Sequence, residues 1–211
     1  MVYKNGTKEI AAQEGMSITF MAKPNEREGN SCHIHFSLRG ADGRSALLGD
    51  GPAGLSVTGQ RVLAGLLATI PDFAVLLAPN VNSYKRYQPG SFAPTALRWG
   101  NDNRTCALRL VGHGQGMRVE NRLPGADVNP YLAIAALVAG AVHGIEAELT
   151  LEPEFVGNAY GDGSAPRAPR TLGTRSTAGR SPRWPSRRSG PRWWRTTPTR
   201  HGWSWPPSTR R

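Results

Sequence analysis

Two short stretches hold side chains that could do chemistry together. In SCHIHFSLRG, residues 31–40, alternation along an extended strand puts His33, His35, Ser37 and Arg39 on one face, with Cys32, Ile34, Phe36 and Leu38 on the other. In GMRVENRLP, residues 116–124, the same period sends Met117, Val119, Asn121 and Leu123 one way and Arg118, Glu120 and Arg122 the other. Same-face neighbours lie ~6–7 Å apart, so successive residues can serve different atoms of one extended ligand. A neutral imidazole and a carboxylate from different strands can share a divalent metal. Arginines beside that carboxylate suit phosphate or carboxylate groups, which the guanidinium fork binds bidentately. Each pattern alone also fits an ordinary solvated sheet face, where an Arg-x-Glu-x-Arg ladder contributes little.

Arg98, Arg104, Arg109, Arg118 and Arg122 place five arginines within 25 residues. They form either a solvated basic face or a cradle for a polyphosphate and a carboxylate. Lys85 and Arg86 stand just before QPGSFAP, in a segment with no period of its own. The Gly-rich GHGQG, residues 112–116, lacks the P-loop spacing and reads as a hairpin connection, with His113 exposed. His143 sits inside an apolar run and reads as a core or interface histidine. There is no Gly-x-Ser-x-Gly element.

The elements that must position these residues are legible in outline. Residues 1–15 read as a helix closed by Gly15, and MSITFMAKP as a β-rich run ended by Pro24. Residues 57–79 are apolar at helical spacing, with a break at Pro71. RTCALRLVG and GMRVENRLP read as paired strands. DVNPYLAIAALVAGAVHGIEAEL reads as a long helix capped by Asn129, with Pro130 at its first position. The fold class is α+β, with antiparallel strands and packed helices.

The formal charge of +11 suggests a nucleic-acid or membrane partner. Its distribution argues otherwise. Residues 167–211 hold 12 of the 26 Lys and Arg and none of the 15 acids, leaving 14 basic against 15 acidic residues before them. The body is nearly neutral. From about residue 165 the chain is rich in Arg, Pro and Trp and nearly free of aliphatic residues, so it cannot build a core and is expected to be disordered. Domains are therefore expected at 1–164 and 165–211. The tail is either an arm suited to phosphates and bases or GC-rich DNA read out of frame, and the second reading is preferred. Cys32 and Cys106 form no metal-ligand spacing and read as buried thiols of a reducing compartment. The N-terminus has no signal-peptide character, and the longest apolar run, YLAIAALVAGAVHGI, is short for a membrane span. A cytoplasmic location is expected, with no membrane partner.

Taken in order, GNSCHIHFSL, NSYKRYQPGSFAP, NRTCALR and MRVENRLPGADVNPYLAIAAL resemble the catalytic domain of the glutamine synthetase family over roughly residues 3–150. That resemblance implies part of its half-barrel catalytic domain. It also implies ATP-dependent ligation of ammonia or an amine to the γ-carboxylate of glutamate through γ-glutamyl phosphate, with Mg²⁺ or Mn²⁺. Residue by residue, it implies His33 and Glu120 as metal ligands and His35 and Ser37 along ATP. Arg109 and Arg118 would hold ATP phosphates, and Arg104 the transferring phosphoryl group. Arg86 and Arg122 would grip the glutamate carboxylates, with Gly29 lining that site. The family's homo-oligomeric ring is not expected of this stretch alone. Two departures stand out. Phe92 occupies the place where glutamine synthetases carry a glutamate that helps deprotonate ammonium, which favours a larger or more apolar amine, as in the γ-glutamylpolyamine branch. The family's β-grasp domain and most metal-binding glutamates are not in this sequence, so it is expected to be an inactive fragment. Nucleic-acid binding through the basic tail is the alternative of another class.

Overall fold

The computed structural model describes residues 2–172. The Arg- and Trp-rich tail beyond them, with the expectations placed on it, lies outside the described residues. Helix α1 spans Val2–Gln13, and Gly15 follows it with φ 68°, a left-handed closure that favours glycine. Helix α2 spans Val57–Leu77, and the Ser56 hydroxyl caps it by accepting from the Gly59 amide at 2.9 Å. The expected break at Pro71 does not occur. Pro71 forfeits one backbone hydrogen bond, but Ile70, Ala74 and Leu77 around it are buried, and that packing carries the helix through. By length and composition α2 could cross a membrane, and half of its apolar window is buried inside the fold.

One turn of helix, α3 (Val81–Tyr84), breaks the segment read as a plain loop. Asn80 and Ser83 cap it reciprocally, and Asp127 accepts from both side chains. Helix α4 spans Pro130–Glu146, with Asn129 Oδ1 accepting from the amides of Tyr131 and Leu132 as its N-cap.

Four strands form one sheet in the order β1-β4-β3-β2: β1 Ile34–Phe36, β2 Ala96–Asn101, β3 Cys106–Val111 and β4 Arg118–Asn121. The β3–β4 hairpin and the β1–β4 pair are antiparallel. β2 runs parallel to β3, so the sheet is mixed rather than wholly antiparallel. β2 escapes a reading by alternation because four of its six residues, in two adjacent pairs, are buried, which erases the period of two. The strand expected over residues 31–40 shrinks to three residues flanked by single bridges, Ser31–Gly125 and Arg39–Ser45. The β-rich run MSITFMAKP is not a strand. Its backbone is tied by side chains instead: the Met21 amide to Thr19 Oγ1, and the Lys23 amide and carbonyl to the Asn82 side chain.

Residues from α2 and α4 and the apolar sheet face share one core, with Leu63 and Leu66, Ala133 and Leu137, and Leu108, Leu110 and Val119 among them. Ile34 and Phe36 pack on its margin, as alternation requires. Cys106 is buried, whereas Cys32 is only half-buried, and both are free thiols. Residues 165–168, which composition groups with the tail, pack on β2. The Leu97 amide donates to the Pro166 carbonyl, the Ala168 amide to the Thr95 carbonyl, and Ala165 and Ala168 are buried.

The helices α2 and α4 meet backbone to backbone at Gly65, Gly140 and Gly144. A Cβ on Gly65 would stand 2.5 Å from the Gly144 nitrogen and 2.6 Å from its Cα. Neither atom can yield without moving a helix. Gly65→Ala should therefore destabilise the fold by about 3 kcal/mol, at the upper end of overpacking costs. Gly6→Ala in α1, where a Cβ meets nothing within 4 Å, should stabilise by about 0.5–1 kcal/mol. Urea unfolding of both variants checks the contrast.

Candidate active site

The hairpin β3–β4 and the short β1 bring the singled-out residues into one row. Cross-strand register sets His35 opposite Glu120 and Glu120 opposite Arg109. The Glu120 carboxylate, on a residue only 3% exposed, is the hub. Its Oε1 lies 3.0 Å from His33 Nδ1, accepts from Arg122 Nη1 at 3.0 Å and lies 3.6 Å from His35 Nε2. Its Oε2 accepts from Arg109 Nη1 at 3.0 Å. Burial pushes the Glu120 carboxyl up, but the hydrogen bonds from His33 and Arg109 and the charge of Arg122 outweigh it, holding the group well below its ordinary value of 4.5. His35 titrates below its ordinary 6.5, chiefly through burial, with Arg118, His33 and Arg109 adding to the effect and Glu120 opposing it. It is a neutral imidazole at pH 7.

The other candidates divide by availability. All three nitrogens of Arg109 already donate, Nε and Nη2 to Asp102 Oδ1 and Nη1 to Glu120, which leaves one N–H on each Nη for a ligand. Arg118 is exposed and loosely placed, with Nε 3.4 Å from His35 Nδ1. Ser37 and Arg104 are exposed and make no hydrogen bond among the described residues. Arg86 is only 2% exposed and donates through Nη2 to the Leu123 carbonyl, under Gly29, whose missing Cβ would meet Arg86 Cγ at 2.9 Å. Arg122 Nη2 donates to the Phe92 carbonyl at 3.0 Å. Yet the Nε atoms of Arg86 and Arg122 are buried with no hydrogen-bond partner among the described residues. Two unpaired guanidinium donors below the surface are what an incoming carboxylate satisfies.

Arg98 does not join this group. It is held by Glu152 at 2.6 Å and by Asp162 at 2.8 Å, so the five-arginine cradle reduces to four. Two partners escaped the sequence reading: Asp102 against Arg109 and the Phe92 carbonyl on Arg122. Asp102 had a weak signal, an acid in the polar turn NDNR. The backbone carbonyl had none.

His33 Nε2 is buried and without a hydrogen-bond partner, an imidazole nitrogen suited to a metal. Glu120 brings one carboxylate beside it. However, no group of three His, Cys, Asp or Glu among the described residues could hold an ion. A hard divalent cation takes about six ligands, so these two residues are contributors to a site and not the whole of one.

With this geometry in hand, comparison with known proteins is specific. The family model described as glutamine synthetase, catalytic domain, matches residues 1–176. The chain is 65% identical over 159 residues to a gamma-glutamylethanolamide synthetase of Streptomyces coelicolor, covering 75% of this chain and 34% of that protein. It is 46% identical over 160 residues to a glutamate–isopropylamine ligase of a Pseudomonas species, covering 74% and 35%. Against a gamma-glutamylputrescine synthetase of Escherichia coli it is 44% identical, covering 75% and 34%. The chain thus spans about a third of the length of the curated relatives it matches. Among solved structures, a GmaS/ADP complex superposes with a TM-score of 0.74 at 35% identity, covering 81% of this chain and 41% of that one.

Glu120 neutralises the guanidinium groups of Arg109 and Arg122, so removing its charge should be costly. Glu120→Gln should destabilise the fold by about 3 kcal/mol, the penalty for breaking a buried ion cluster from one side. The pH dependence has a definite sign. A carboxyl depressed in the folded state contributes stability above its unfolded value of 4.5 and loses it as pH falls through the folded value. Stability of the wild type should therefore fall steeply below pH 4.5, and that of Glu120→Gln should fall less, in denaturant titrations from pH 7 to pH ~3.

Proposed function

The chain belongs to the glutamine synthetase family through its catalytic domain, and from that premise we propose that it carries part of the active site of an ATP-dependent glutamate–amine ligase. The reaction has two steps. The γ-phosphoryl group of ATP passes to the γ-carboxylate of glutamate, releasing ADP. The amine then attacks the γ-carbonyl carbon, phosphate leaves, and the amine loses a proton. The observation that carries this reading is the Glu120 row with the two unpaired guanidinium donors beside it, Arg122 Nε and Arg86 Nε.

In this proposal Arg86 and Arg122 hold the glutamate carboxylates through those donors, and the backbone at Gly29 lies along the same floor. Arg104, exposed and without a hydrogen bond among the described residues, meets the transferring phosphoryl group, whose charge spreads over its equatorial oxygens. Arg109 and Arg118 hold the ATP phosphates, and His35 and Ser37 lie along the nucleotide. Glu120 fixes Arg109 and Arg122 at a set separation, so both forks are oriented before substrate arrives. His33 and Glu120 would contribute to the Mg²⁺ or Mn²⁺ site, where a bound ion neutralises phosphate charge. The remaining ligands would come from water, nucleotide or residues outside this set.

An amine with an alkyl part is favoured over ammonia. Phe92 is 71% exposed where a glutamate would attract ammonium, and it offers an apolar surface instead. The relatives named above for ethanolamide, isopropylamine and putrescine chemistry support the same choice. A cytoplasmic setting fits the two free thiols.

Calorimetric titration with L-glutamate tests the site. The chain should bind glutamate, and Arg122→Ala should weaken binding by about 30-fold, the cost of one charge-assisted pair. Absence of binding by the wild type would contradict the reading. No glutamate- and amine-dependent ADP release is expected from the isolated chain, because the described residues supply too few metal ligands. ADP release that required both substrates would overturn that expectation. If it favoured ammonium over ethanolamine, the choice of amine would be wrong too.

A further inference from the structure

Arg109 is held between two carboxylates of opposite character. On its inner side Nη1 donates to Glu120 Oε2 at 3.0 Å, and the Glu120 side chain is 4% exposed. On its outer side Nε and Nη2 both donate to one oxygen, Asp102 Oδ1, and the Asp102 side chain is 72% exposed. A guanidinium offers an oxyanion two forks, Nε with Nη2 and Nη1 with Nη2. Asp102 occupies the first, and Nη1 of the second already serves Glu120. Only the first fork is held by an exposed partner.

The backbone explains why an acid can stand there, but does not require one. Asp102 is the first residue after β2 and lies in the left-handed region, with φ 50°. Glycine enters that region freely, and asparagine and aspartate do so more readily than other residues. Glycine or asparagine would therefore close the turn as well. The turn is also fastened by other groups. The Asp102 amide donates to the Leu110 carbonyl at 2.8 Å. Asn103 donates from its side chain to the Gly157 carbonyl at 2.9 Å and accepts from the Thr105 amide at 3.0 Å. What the carboxylate adds is a charge, and Arg109 takes it.

The two contacts differ in how readily they exchange. Glu120 is out of water and shared with Arg122, so Arg109 cannot leave it cheaply. The Asp102 pair lies in water, where such pairs contribute little and salt screens them. A phosphate group brings more charge and three acceptor oxygens to the same fork. We propose that Asp102 is a placeholder anion: it occupies the outer fork of Arg109 until the polyphosphate of ATP takes it, and its charge thereby sets nucleotide affinity. Asp102 touches no substrate and acts through Arg109 alone. The exchange rests on the nucleotide-binding role given to Arg109 above; the pairing does not. A placeholder and a fixed prop for Arg109 predict opposite signs. Removing a prop loosens ATP, whereas removing a placeholder tightens it.

Calorimetric titration of the full chain with Mg²⁺ and ATP reads the sign. Asp102→Asn and Asp102→Gly both suit the left-handed backbone and remove the charge. Each should tighten ATP binding by about fivefold, the upper range for an exposed ion pair, and the gain should shrink as salt is raised. Unchanged or weaker binding in either variant overturns the placeholder. Carboxyl ¹³C labelling of aspartate follows the exchange itself at pH 7. Saturating ATP should move the Asp102 signal towards those of exposed, unpaired aspartates. A signal that stays in place while ATP binds also overturns the proposal. Arg109→Lys tests the premise separately, since it keeps a cation beside Glu120 and loses both forks. It should weaken ATP binding by about tenfold. If Arg109→Lys binds ATP as the wild type does, or if the wild type binds none, the nucleotide role of Arg109 is wrong and the exchange falls with it.

Discussion

One buried carboxylate organises the functional face of this protein. Glu120 stands between His35 on β1 and Arg109 on β3 in the sheet register, with Arg122 two residues further along the chain, just past the end of β4. Two guanidinium groups in so small a volume would repel one another and lose hydration. A single anion with both oxygens engaged makes the cluster tolerable, at a desolvation cost that each contact must offset. Remove it, and Arg109 keeps only Asp102 and Arg122 only the Phe92 carbonyl to hold them in place. The sheet, the hairpin and the paired helices behind it serve to hold that carboxylate in place.

The helices supply the rigid back wall. Gly65, Gly140 and Gly144 let α2 and α4 touch along their backbones, and Leu63, Leu66 and Leu137 fill the space towards β3 and β4. Because Val119 and Asn121 are fully buried on the core side, Glu120 between them can only face the opposite way. Core packing thereby fixes the direction of a charged group it never touches. The loop that carries Arg86 and Phe92 is fastened to the same frame by Asp127 through Asn80 and Ser83, and by the Leu123 carbonyl through Arg86 and Tyr87.

Much of this was legible in the sequence, for physical reasons. The faces of His33 and His35 and of Glu120 and Arg122 follow from a period of two, and the N-cap of α4 from Asn-Pro. The conversion of those faces into one site was not legible, since register is a three-dimensional fact. β2 was missed because a strand buried on both sides has no alternation. The break assigned to Pro71 was wrong because local propensity lost to burial on both sides of it. Arg98 looked like its neighbours in the arginine series, but acids more than fifty residues later, Glu152 and Asp162, claim it. The Phe92 carbonyl on Arg122 could not have been found, because backbone contacts leave little trace in residue types.

The carboxyl of Glu120 is the place to test the account directly. Selective ¹³C labelling of glutamate and an NMR pH titration of the folded chain would follow its ionisation. The account predicts that Glu120 stays ionised well below the ordinary carboxylate range, because the hydrogen bonds from His33 and Arg109 and the charge of Arg122 favour its anion. A midpoint near the ordinary value of 4.5 would mean that the arginines and histidines do not converge on it, and the site built around it would fall.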